Sequence, residues 1–579
     1  MTNFTSFIDV LESHVDRISG RQAYIFLEDG EAIAETISYA YLAHRARAVA
    51  AQLQRYCRPG DRVLLLYPSC IDYMVAFFAC LYAGVIAVPV FPPRGSKHNK
   101  RLEAILVDCG ATTALTTTKQ MADMRLAIDV SPALSRLNML CSDQVHASYA
   151  AELISVPIRR DTIAFLQYTS GSTGQPKGVV VTHGNLLQNE FMIQSAVETT
   201  EDTVIVTWLP IYHDMGLIGN MLHSIWLGAT CVFMPPLSFL QQPIRWLSAI
   251  SRFGAYLSGG PNFGYDLCVN KISDEQRASL NLSSWRVAFN GAEPIRQATL
   301  ERFAERFAVA GFQRNALYPC YGMAETTLMV TGGSPHADAL CQHVDKSILG
   351  NGAAIVVARD NVNAQAVVGC GHALPEQVLR IVDPVTLQQH ADNTIGEIWV
   401  SGAHIGQGYW QKPDINREIF QAHISGSGEG PFLRTGDLGY LSDGELYVTG
   451  RLKDLIIVRG VNHYPHDIEA TVEDADQAIN RGGTAAVGLQ GDNAERVIVI
   501  AEIGRSFLRN VDVNVLARKI RESVFERHEL LLADVIFIRP SSLPKTSSGK
   551  VQRSYCRELY LAKEFARVEP VKQLQETES

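Results

Sequence analysis

The sequence predicts an α/β protein with a large N-terminal domain of mixed sheets and helices, a β-barrel-like subdomain within it, and a small α+β C-terminal domain. In the first half of the chain, apolar runs such as DRVLLLYP (61–68) alternate with amphipathic helical stretches, a pattern typical of parallel sheets covered by helices. After about residue 375, closely spaced strands predict antiparallel pairing. The pattern changes again after Gly450, which predicts domains at 1–450 and 451–579.

Length and composition limit the classes of function. The 579 residues exceed one compact core, and 47% hydrophobic with 19% charged residues is ordinary for globular domains. Because 51 basic against 60 acidic residues give a net charge of −9, a general nucleic-acid binder is disfavoured. The eleven cysteines are scattered without a CxxC pair, and no secretion signal is recognisable at the N-terminus. We therefore expect reduced thiols and a cytoplasmic protein.

One uncharged segment, Tyr73 to Phe91, is long enough to be considered as a membrane span. However, Gly84 interrupts it like a glycine at a helix end, and the β-branched residues that follow end at Pro92. The segment therefore predicts a buried helix at about 72–83 and a buried strand at 85–91, each too short to span. No integral membrane segment is expected.

The predicted C-terminal domain has its own sequence of elements. They are, in the order strand, helix, strand, helix and strand, LIIVRG (455–460), HDIEATVEDAD (466–476), ERVIVIAEI (495–503), VDVNVLARKIRESVFERHE (511–529) and DVIFIRP (534–540). Just before them, SDGE (442–445) predicts a tight turn between two strands. The charged, aperiodic residues after about Ala562 predict a mobile tail.

A loop rich in glycine and hydroxyl residues, YTSGSTGQPKGV (168–179), follows the apolar strand TIAFLQ. Backbone N–H groups of such a loop can surround a polyphosphate, with Lys177 as a point charge. It is not the P-loop of NTPases, because Pro176 precedes the lysine and Gly178 follows it. Taken alone, such a loop is more often a plain linker, but the strand-like GVVVTH that follows and the motifs below favour phosphate binding.

Further motifs follow this loop in order along the chain. They are GAEP (291–294), YGMAET (321–326), RTGDLG (434–439), GRLKD (450–454) and LPKTSSGK (543–550). From about residue 20 to 560, the chain resembles the acyl-adenylate-forming superfamily, which includes acyl-CoA synthetases, adenylation domains of peptide synthetases and luciferases. The resemblance implies the adenylate-forming enzyme fold, with ATP and Mg2+ as cofactors. It also implies attack of a carboxylate on the α-phosphorus with release of pyrophosphate.

The resemblance assigns roles to the residues at matching positions. It implies phosphate binding by Thr169, Ser170, Gly171, Ser172, Thr173, Gly174 and Lys177, and metal binding by Glu325. It implies a base pocket of Gly291, Ala292, Glu293, Tyr321 and Gly322, with ribose or phosphate contacts of Asp437 and Arg451. It also implies a catalytic Lys550 that serves adenylation only, and a hinge at Lys453 for a mobile C-terminal domain. Individually, several have ordinary alternatives: Asp437 as a turn residue, Arg451 as a surface ion-pair partner, Lys550 as a solvated lysine.

Two motifs favour one branch of the superfamily, the fatty acyl-AMP ligases, which pass acyl chains to an acyl carrier protein. LPIYHDMGLIG (209–219) and NHYPHDIE (462–469) resemble that branch, as does alanine at 324, where most members have threonine. The acyl pocket is expected at Ile211, Asp214 and Met215. His213 is a candidate catalytic residue that gates this pocket, or alternatively a hydrogen-bonded core histidine.

The segment 335–368 resembles an insertion of the fatty acyl-AMP ligases that restrains the C-terminal domain or disfavours CoA. Its apolar run GAAIVVAR (352–359) predicts a strand that packs, and an ordinary variable loop is the alternative. The expected substrate is a fatty acid. We expect the acyl acceptor to be a carrier protein on a separate chain, with CoA poor or unused.

Three other functions remain open on the sequence. One is a long-chain fatty acyl-CoA ligase. Another is an amino- or aryl-acid adenylating enzyme, because peptide-synthetase domains place an aspartate at the position of Asp214 to bind an amino group. The third is a binding protein without catalysis, against which the retention of both Lys177 and Lys550 argues.

Overall fold

The computed structural model describes residues 4–93, 95–169, 176–458, 461–489, 496–546 and 549–568. The predicted tail therefore lies largely outside the described residues. Across the described ranges, no helix combines the length and the apolar character that a membrane crossing needs.

The strands occur throughout the chain. In order they are β1 Gln22–Phe26, β2 Glu35–Ser38, β3 Arg62–Leu66, β4 Ile86–Val90, β5 Thr113–Thr116, β6 Asn138–Cys141, β7 Ile163–Thr169, β8 Lys177–Thr182, β9 Val204–Thr207, β10 Thr230–Phe233, β11 Leu257–Gly259, β12 Val287–Asn290, β13 Leu317–Gly322, β14 Met329–Gly332, β15 Cys341–Asp345, β16 Ala364–Ala373, β17 Gln377–Val382, β18 Gly396–Gly402, β19 Leu433–Ser442, β20 Glu445–Arg451, β21 Ile456–Val458, β22 Val461–His463, β23 Ile479–Leu489, β24 Arg496–Ile503 and β25 Leu532–Ile538.

The α-helices connect and cover these strands. In order they are α1 Phe7–Ile18, α2 Tyr39–Leu53, α3 Ile71–Ala83, α4 Gly95–Cys109, α5 Thr118–Val130, α6 His183–Val197, α7 Asp214–Gly216, α8 His223–Leu227, α9 Pro236–Gln241, α10 Ile244–Phe253, α11 Asn262–Lys271, α12 Asp274–Ala278, α13 Gln297–Phe307, α14 Lys346–Leu349, α15 Pro413–Phe420, α16 Pro465–Ala475, α17 Val513–His528 and α18 Arg553–Leu561.

A first sheet has the strand order β6-β5-β3-β4-β7-β8 and is parallel except for the antiparallel pair β7–β8. The uncharged segment forms α3 and β4, as predicted, and Gly84 ends the helix in the left-handed conformation at φ 68°. Almost every residue of α3 is buried, which explains its uniformly apolar sequence. Its one acidic residue, Asp72, pairs with Arg45 of α2.

A larger sheet has the order β17-β18-β19-β20-β16-β14-β13-β12-β11-β9-β10-β1-β2. The strands from β13 through β12, β11, β9 and β10 to β1 are parallel, whereas those from β14 to β17 are antiparallel. The predicted change from parallel to antiparallel pairing is thus confirmed. The predicted turn at 442–445 joins β19 to β20, with positive φ at Asp443 and Gly444.

Within the proposed insertion, the prediction of a strand in 352–359 is wrong. The segments on either side of it form the antiparallel pair β15–β16 instead. Residues 352–359 make only isolated bridges, Val344 to Val356 and Ala353 to Thr394. The apolar residues of this run do not all face the core, because Ala354 is buried whereas Val356 is 58% exposed. The run packs against the protein through the buried side chain of Ala354 and not as a paired strand.

The C-terminal residues from Ile456 onward have apolar clusters of their own. Strands β23-β24-β25 form a sheet against which α16, α17 and α18 lie, and β21 pairs with β22. The two predicted helices correspond to α16 and α17. The sequence pattern missed β23 and α18. Arg553 of α18 ties these elements together, with 2.7 Å contacts to Glu469 of α16 and a 3.1 Å contact to Asp454.

Candidate active site

A cavity of about 3140 Å3 lies between the two sheets and the C-terminal elements. Most of the residues assigned from sequence line it: Thr169, Lys177, His213, Asp214, Met215, Gly291, Ala292, Glu293, Tyr321, Gly322, Glu325, Asp437, Arg451, Lys453 and Lys550. Ile211, which the sequence assigned to the acyl pocket, is buried in the apolar core, and its place in that pocket stays a prediction. Ser170, Gly171, Ser172, Thr173 and Gly174 lie outside the described residues.

The two strands that flank the phosphate loop bring its ends together. β7 and β8 pair with Thr169 opposite Lys177, so both residues open onto the cavity. The Lys177 ammonium lies 4.9 Å from the centre of the Tyr409 ring. Burial, with the nearby positive charge of Lys453, lowers the pKa of Lys177. A lysine in this position is less well solvated than a surface lysine and is prepared to contact an anion.

The carboxylate of Glu325 lies on a short turn after β13 and is 7% exposed. Its Oε1 accepts a hydrogen bond of 2.8 Å from the Tyr409 hydroxyl. Burial raises the pKa of Glu325. Within the described ranges, no three His, Cys, Asp or Glu side chains gather as a metal cage. A single carboxylate of this kind suits a hard cation that takes its other ligands from phosphates and water.

Tyr409 was missed in the sequence analysis. It lies in HIGQGYW (404–410), between β18 and α15, and pairs through an isolated bridge with Val179 of β8. The signal available was Gly408, whose φ of 116° excludes other residues and whose missing Cβ leaves room for Asn416. Such a glycine directly before an aromatic residue indicates a fixed backbone. It does not by itself indicate which residues the aromatic ring contacts.

On the side of the cavity formed by β13 and β19, Asp437 contacts two other side chains. The Tyr321 hydroxyl donates to its Oδ2 at 2.9 Å, and the Arg451 Nε lies 3.1 Å from its Oδ1. Asp437 and Arg451 are opposite each other in the β19–β20 pair. The β-ladder therefore sets this ion pair in place, and the turn alternative for Asp437 is wrong because the residue lies within β19.

The GAEP segment forms another wall with an unusual backbone. Ala292 has φ 73°, a left-handed conformation that is uncommon for a residue with a Cβ and is concentrated at functional sites. Glu293 Oε1 accepts a 2.9 Å hydrogen bond from the backbone N–H of Asn262.

The YGMAET segment contains a glycine that no other residue can replace. At Gly322, a Cβ would meet the Leu328 carbonyl oxygen at 1.8 Å, so only glycine fits there.

Lys550 enters the cavity from the C-terminal part of the chain. Its backbone is held in a turn, donating to the Thr546 hydroxyl and accepting from the Thr546 N–H at 2.7 Å. Burial, with the neighbouring Arg451, lowers the pKa of Lys550, and the charges of Asp214, Glu293 and Asp437 act in the opposite direction. Lys550 is therefore not a freely solvated lysine. It faces carboxylates from several different elements.

The acyl pocket motif contains a close pair, His213 Nδ1 to Asp214 Oδ1 at 2.5 Å. The same oxygen accepts from the N–H of Met215 at 2.7 Å. Burial would raise the pKa of Asp214, but His213 and Lys550 hold it below its ordinary value. The side chain of His213 lines the cavity and is 23% exposed, so it is not a core histidine.

Behind this pair the cavity wall becomes apolar. A π-helical turn, Leu217–Leu222, follows α7 and presents Gly219 to the cavity. Further wall residues come from α6, β12, β14 and the residue before β14: Ile193, Val197, Phe289, Met329 and Leu328. Single π-helical turns are frequent at functional sites. The arrangement can hold a hydrocarbon chain whose polar end points toward Lys550.

Comparison with known proteins agrees with this geometry. The model of the family described as AMP-binding enzyme matches residues 11–410. A second model, described as the AMP domain of Disco-interacting protein 2-like proteins, matches residues 453–569. The chain belongs to the AMP-binding enzyme family.

Its relatives within that family include fatty acyl-AMP ligases, as the sequence motifs predicted, and also 4-hydroxyphenylalkanoate adenylyltransferases. The medium-chain-fatty-acid–[acyl-carrier-protein] ligase JamA of Moorena producens is 42% identical over 96% of this chain and 95% of its own. The long-chain-fatty-acid–AMP ligase FadD26 of Mycobacterium marinum is 36% identical over 97% and 98%. A crystal structure of the fatty acyl-adenylate ligase of L. pneumophila with acyl adenylate and pyrophosphate is 37% identical, with a TM-score of 0.77 and 96% of each chain covered.

Proposed function

We propose that this protein activates a fatty acid with ATP to give acyl-AMP and pyrophosphate, and then transfers the acyl group to the phosphopantetheine thiol of a separate acyl carrier protein. The observation that carries the proposal is the position of Lys550. It reaches the cavity between the apolar pocket that begins at Asp214 and the carboxylate of Asp437. A cation at that junction can contact an acid and a nucleotide at the same time.

In the first half-reaction, an oxygen of the fatty acid carboxylate bonds to the α-phosphorus of ATP. The bond from that phosphorus to the bridging oxygen breaks, and pyrophosphate leaves with the electron pair. Two anions must approach for this to occur, so fixed positive charge lowers the barrier. We assign the outer phosphates to Lys177 and the carboxylate with the α-phosphate to Lys550. Ala292, Glu293 and Tyr321 surround the base, and Asp437 accepts from the ribose.

We assign Mg2+ to Glu325, whose buried carboxylate is the hard oxygen donor that this cation prefers. The bound ion would neutralise charge on the phosphates of ATP. The residues' own contribution is to fix that carboxylate, which the Tyr409 hydroxyl does by holding Oε1.

A fatty acid suits the pocket better than an amino acid does. An amino-acid substrate would need Asp214 for its ammonium group, but Asp214 Oδ1 is already bonded to His213 and to the N–H of Met215. The apolar wall beyond offers no charged partner for an ammonium group at Gly219 or Leu328. The names of JamA and FadD26 support the same substrate class.

The second half-reaction needs different groups over the same intermediate. The thiol sulfur bonds to the acyl carbon, AMP leaves with its oxygen, and the thiol proton passes to solvent. We infer that 451–579 rotates about Lys453 to remove Lys550 and admit the thiol, while 1–450 stays fixed. Lys453 lies in a short 3-10 turn between β20 and β21, where few backbone hydrogen bonds must change.

We further propose that 335–368 restrains this rotation and disfavours CoA. Among the described residues, three hydrogen bonds join it to the C-terminal part: Gln365 Nε2 to Asp467 Oδ2 at 2.7 Å, the Asn462 N–H to the Gly350 carbonyl at 3.2 Å, and Lys346 Nζ to the Arg527 carbonyl at 2.5 Å. Apolar contact adds to them, because Leu349 and Val367 share a buried cluster with Tyr464.

All eleven cysteines carry free thiols, which supports the proposed cytoplasmic location.

The test is exchange of labelled pyrophosphate into ATP with a panel of fatty, aryl and amino acids. We expect exchange with fatty acids, and AMP with pyrophosphate as products. Formation of ADP and orthophosphate with every acid would refute the proposal. Transfer is then measured to a holo-acyl carrier protein and to CoA in parallel. Faster transfer to CoA would instead favour an acyl-CoA ligase.

A further inference from the structure

Tyr409 lies between the two charged side chains that the proposed reaction uses separately. Its hydroxyl donates to Glu325 Oε1 at 2.8 Å, while the ammonium of Lys177 lies 4.9 Å from the centre of its ring. Lys177 and Glu325 act on each other's charge, and in the part of the chain that the structure describes no ion pair joins them directly. The lysine contacts the ring of Tyr409, and the carboxylate contacts its hydroxyl.

The backbone of Tyr409 is fixed on both sides, so its ring is a rigid spacer. The N–H of Trp410 donates to the Gly178 carbonyl at 2.7 Å, which attaches the segment to β8 directly beside Lys177. On the other side, the Asn416 side chain accepts from the Tyr409 N–H at 2.7 Å and donates to its carbonyl at 2.9 Å. The segment is also tied to the turn of Glu325, because the Gly406 N–H donates to the Glu325 carbonyl.

Direct pairing of Lys177 with Glu325 would impair both residues. A lysine bound to a carboxylate must break that bond before it can contact phosphate, and a carboxylate bound to lysine is a weaker ligand for a cation. A phenol avoids this conflict. Its ring face attracts the ammonium weakly, and its hydroxyl orients one carboxylate oxygen while leaving the other available.

We propose that Tyr409 is a positioning residue that keeps Lys177 and Glu325 apart, with the ring serving the lysine and the hydroxyl serving the carboxylate. The inference rests on the proposed function, in which these two residues bind the phosphates and the metal. It assigns a separate part of one side chain to each task. The two parts can therefore be removed one at a time.

Tyr409→Phe removes the hydroxyl and keeps the ring, whereas Tyr409→Leu removes both. Binding of a fluorescent ATP analogue in the presence of EDTA reports the lysine, and binding of Mn2+ to the protein–nucleotide complex by electron paramagnetic resonance reports the carboxylate. For Tyr409→Phe we expect unchanged metal-free nucleotide affinity and an Mn2+ dissociation constant raised about tenfold. For Tyr409→Leu we expect nucleotide affinity to fall by about fivefold as well.

A double-mutant cycle identifies the partner of the ring. If the ring acts through Lys177, Tyr409→Leu has no further effect on metal-free nucleotide binding in a Lys177→Met background. Equal nucleotide affinity for the Leu variant and the native protein would overturn the role of the ring. Unchanged Mn2+ binding in the Phe variant would overturn the role of the hydroxyl.

Tyr39 provides matched controls. It is fully buried outside the cavity, and its hydroxyl donates to the carbonyls of Ser224 and Ala229. Tyr39→Phe and Tyr39→Leu remove the same groups and should leave both binding constants within twofold of the native values. The proposed function fails in a different way: the native protein would bind ATP but form no AMP and pyrophosphate with any acid.

Discussion

Arg296 and Glu473 form an ion pair that joins the wall of the cavity to α16. The Arg296 Nη1 lies 3.0 Å from Oε2 of Glu473, whose side chain is only 1% exposed. The neighbouring charge of Glu473 helps to raise the pKa of Arg296 despite its burial. The pair is one of the contacts of the C-terminal elements while Lys550 lines the cavity, and it must break if those elements rotate as proposed.

Arg296→Ala should therefore slow adenylation without slowing transfer. Truncating one partner of a buried pair costs roughly 2–5 kcal/mol. Because Arg296 is 30% exposed, we expect about 1.4 kcal/mol, a loss of about tenfold in pyrophosphate exchange. Thiol transfer from supplied acyl-AMP should be unchanged or faster. Arg417→Ala, which removes an exposed arginine paired with Asp414, is the control and should affect neither step.

Lys550→Ala should separate the two half-reactions more completely. We expect adenylation to fall by at least about 100-fold, because a preorganised charge is removed from the transition state. Transfer of the acyl group from synthetic acyl-AMP to the carrier should change by less than about threefold. Lys563→Gln alters an exposed lysine of the same domain and should leave both rates intact. Equal losses in both half-reactions would contradict the assignment of Lys550 to adenylation.

The same lysine predicts how adenylation depends on pH. Burial and Arg451 lower the pKa of Lys550 from its ordinary 10.5, so the free enzyme loses this charge at a lower pH than a surface lysine would. As the pH rises, kcat/KM for ATP should therefore decline from below pH 10.5. Lys550→Arg should move the decline to higher pH, because arginine stays protonated. If the decline does not move, it belongs to another group, such as Lys177.

The contacts of 335–368 predict its effect on CoA. Replacing both Lys346 and Gln365 by alanine removes two of its three hydrogen bonds to the C-terminal part and keeps the fold of β15 and β16. Transfer to CoA should rise by about fivefold, which corresponds to the lower end of the coupling free energies usual between two sites. Pyrophosphate exchange should stay within twofold. Val362→Ala, at a position 91% exposed in the same segment, is the control.

Deleting 340–366 should also raise transfer to CoA, but it removes β15 and part of β16 together with the contacts. The deletion would uncover Val367 and Tyr440, which are buried in the adjoining cluster. A thermal unfolding measurement must therefore accompany it. If the deletion and the double substitution both leave CoA transfer unchanged, the segment does not act as a restraint.

Local sequence was enough to predict elements whose side chains repeat a simple pattern. The helix α3 and the strand β4 were predicted within a residue or two, because Gly84 separates them and the residues from Tyr73 to Phe91 carry no charge. The resemblance carried by motifs such as GAEP and RTGDLG was enough to select residues of which most do line the cavity, although the cavity has many further lining residues. The run 352–359 was misread because apolar residues promote burial of a single anchor as readily as they promote a strand.

Tertiary structure alone decided which of these residues meet. Tyr409 is 84 residues from Glu325 in sequence and yet bonds to it, and Arg296 is 177 residues from Glu473. Ile211 and Tyr212 are neighbours in the chain, but only Tyr212 faces the cavity. Residue types and local spacing determine the secondary-structure propensity of a segment and the chemistry of its side chains, because both depend on a few neighbouring atoms. Pairing across sheets and between domains depends on which surfaces the whole chain buries together, and that is a property of the packed molecule.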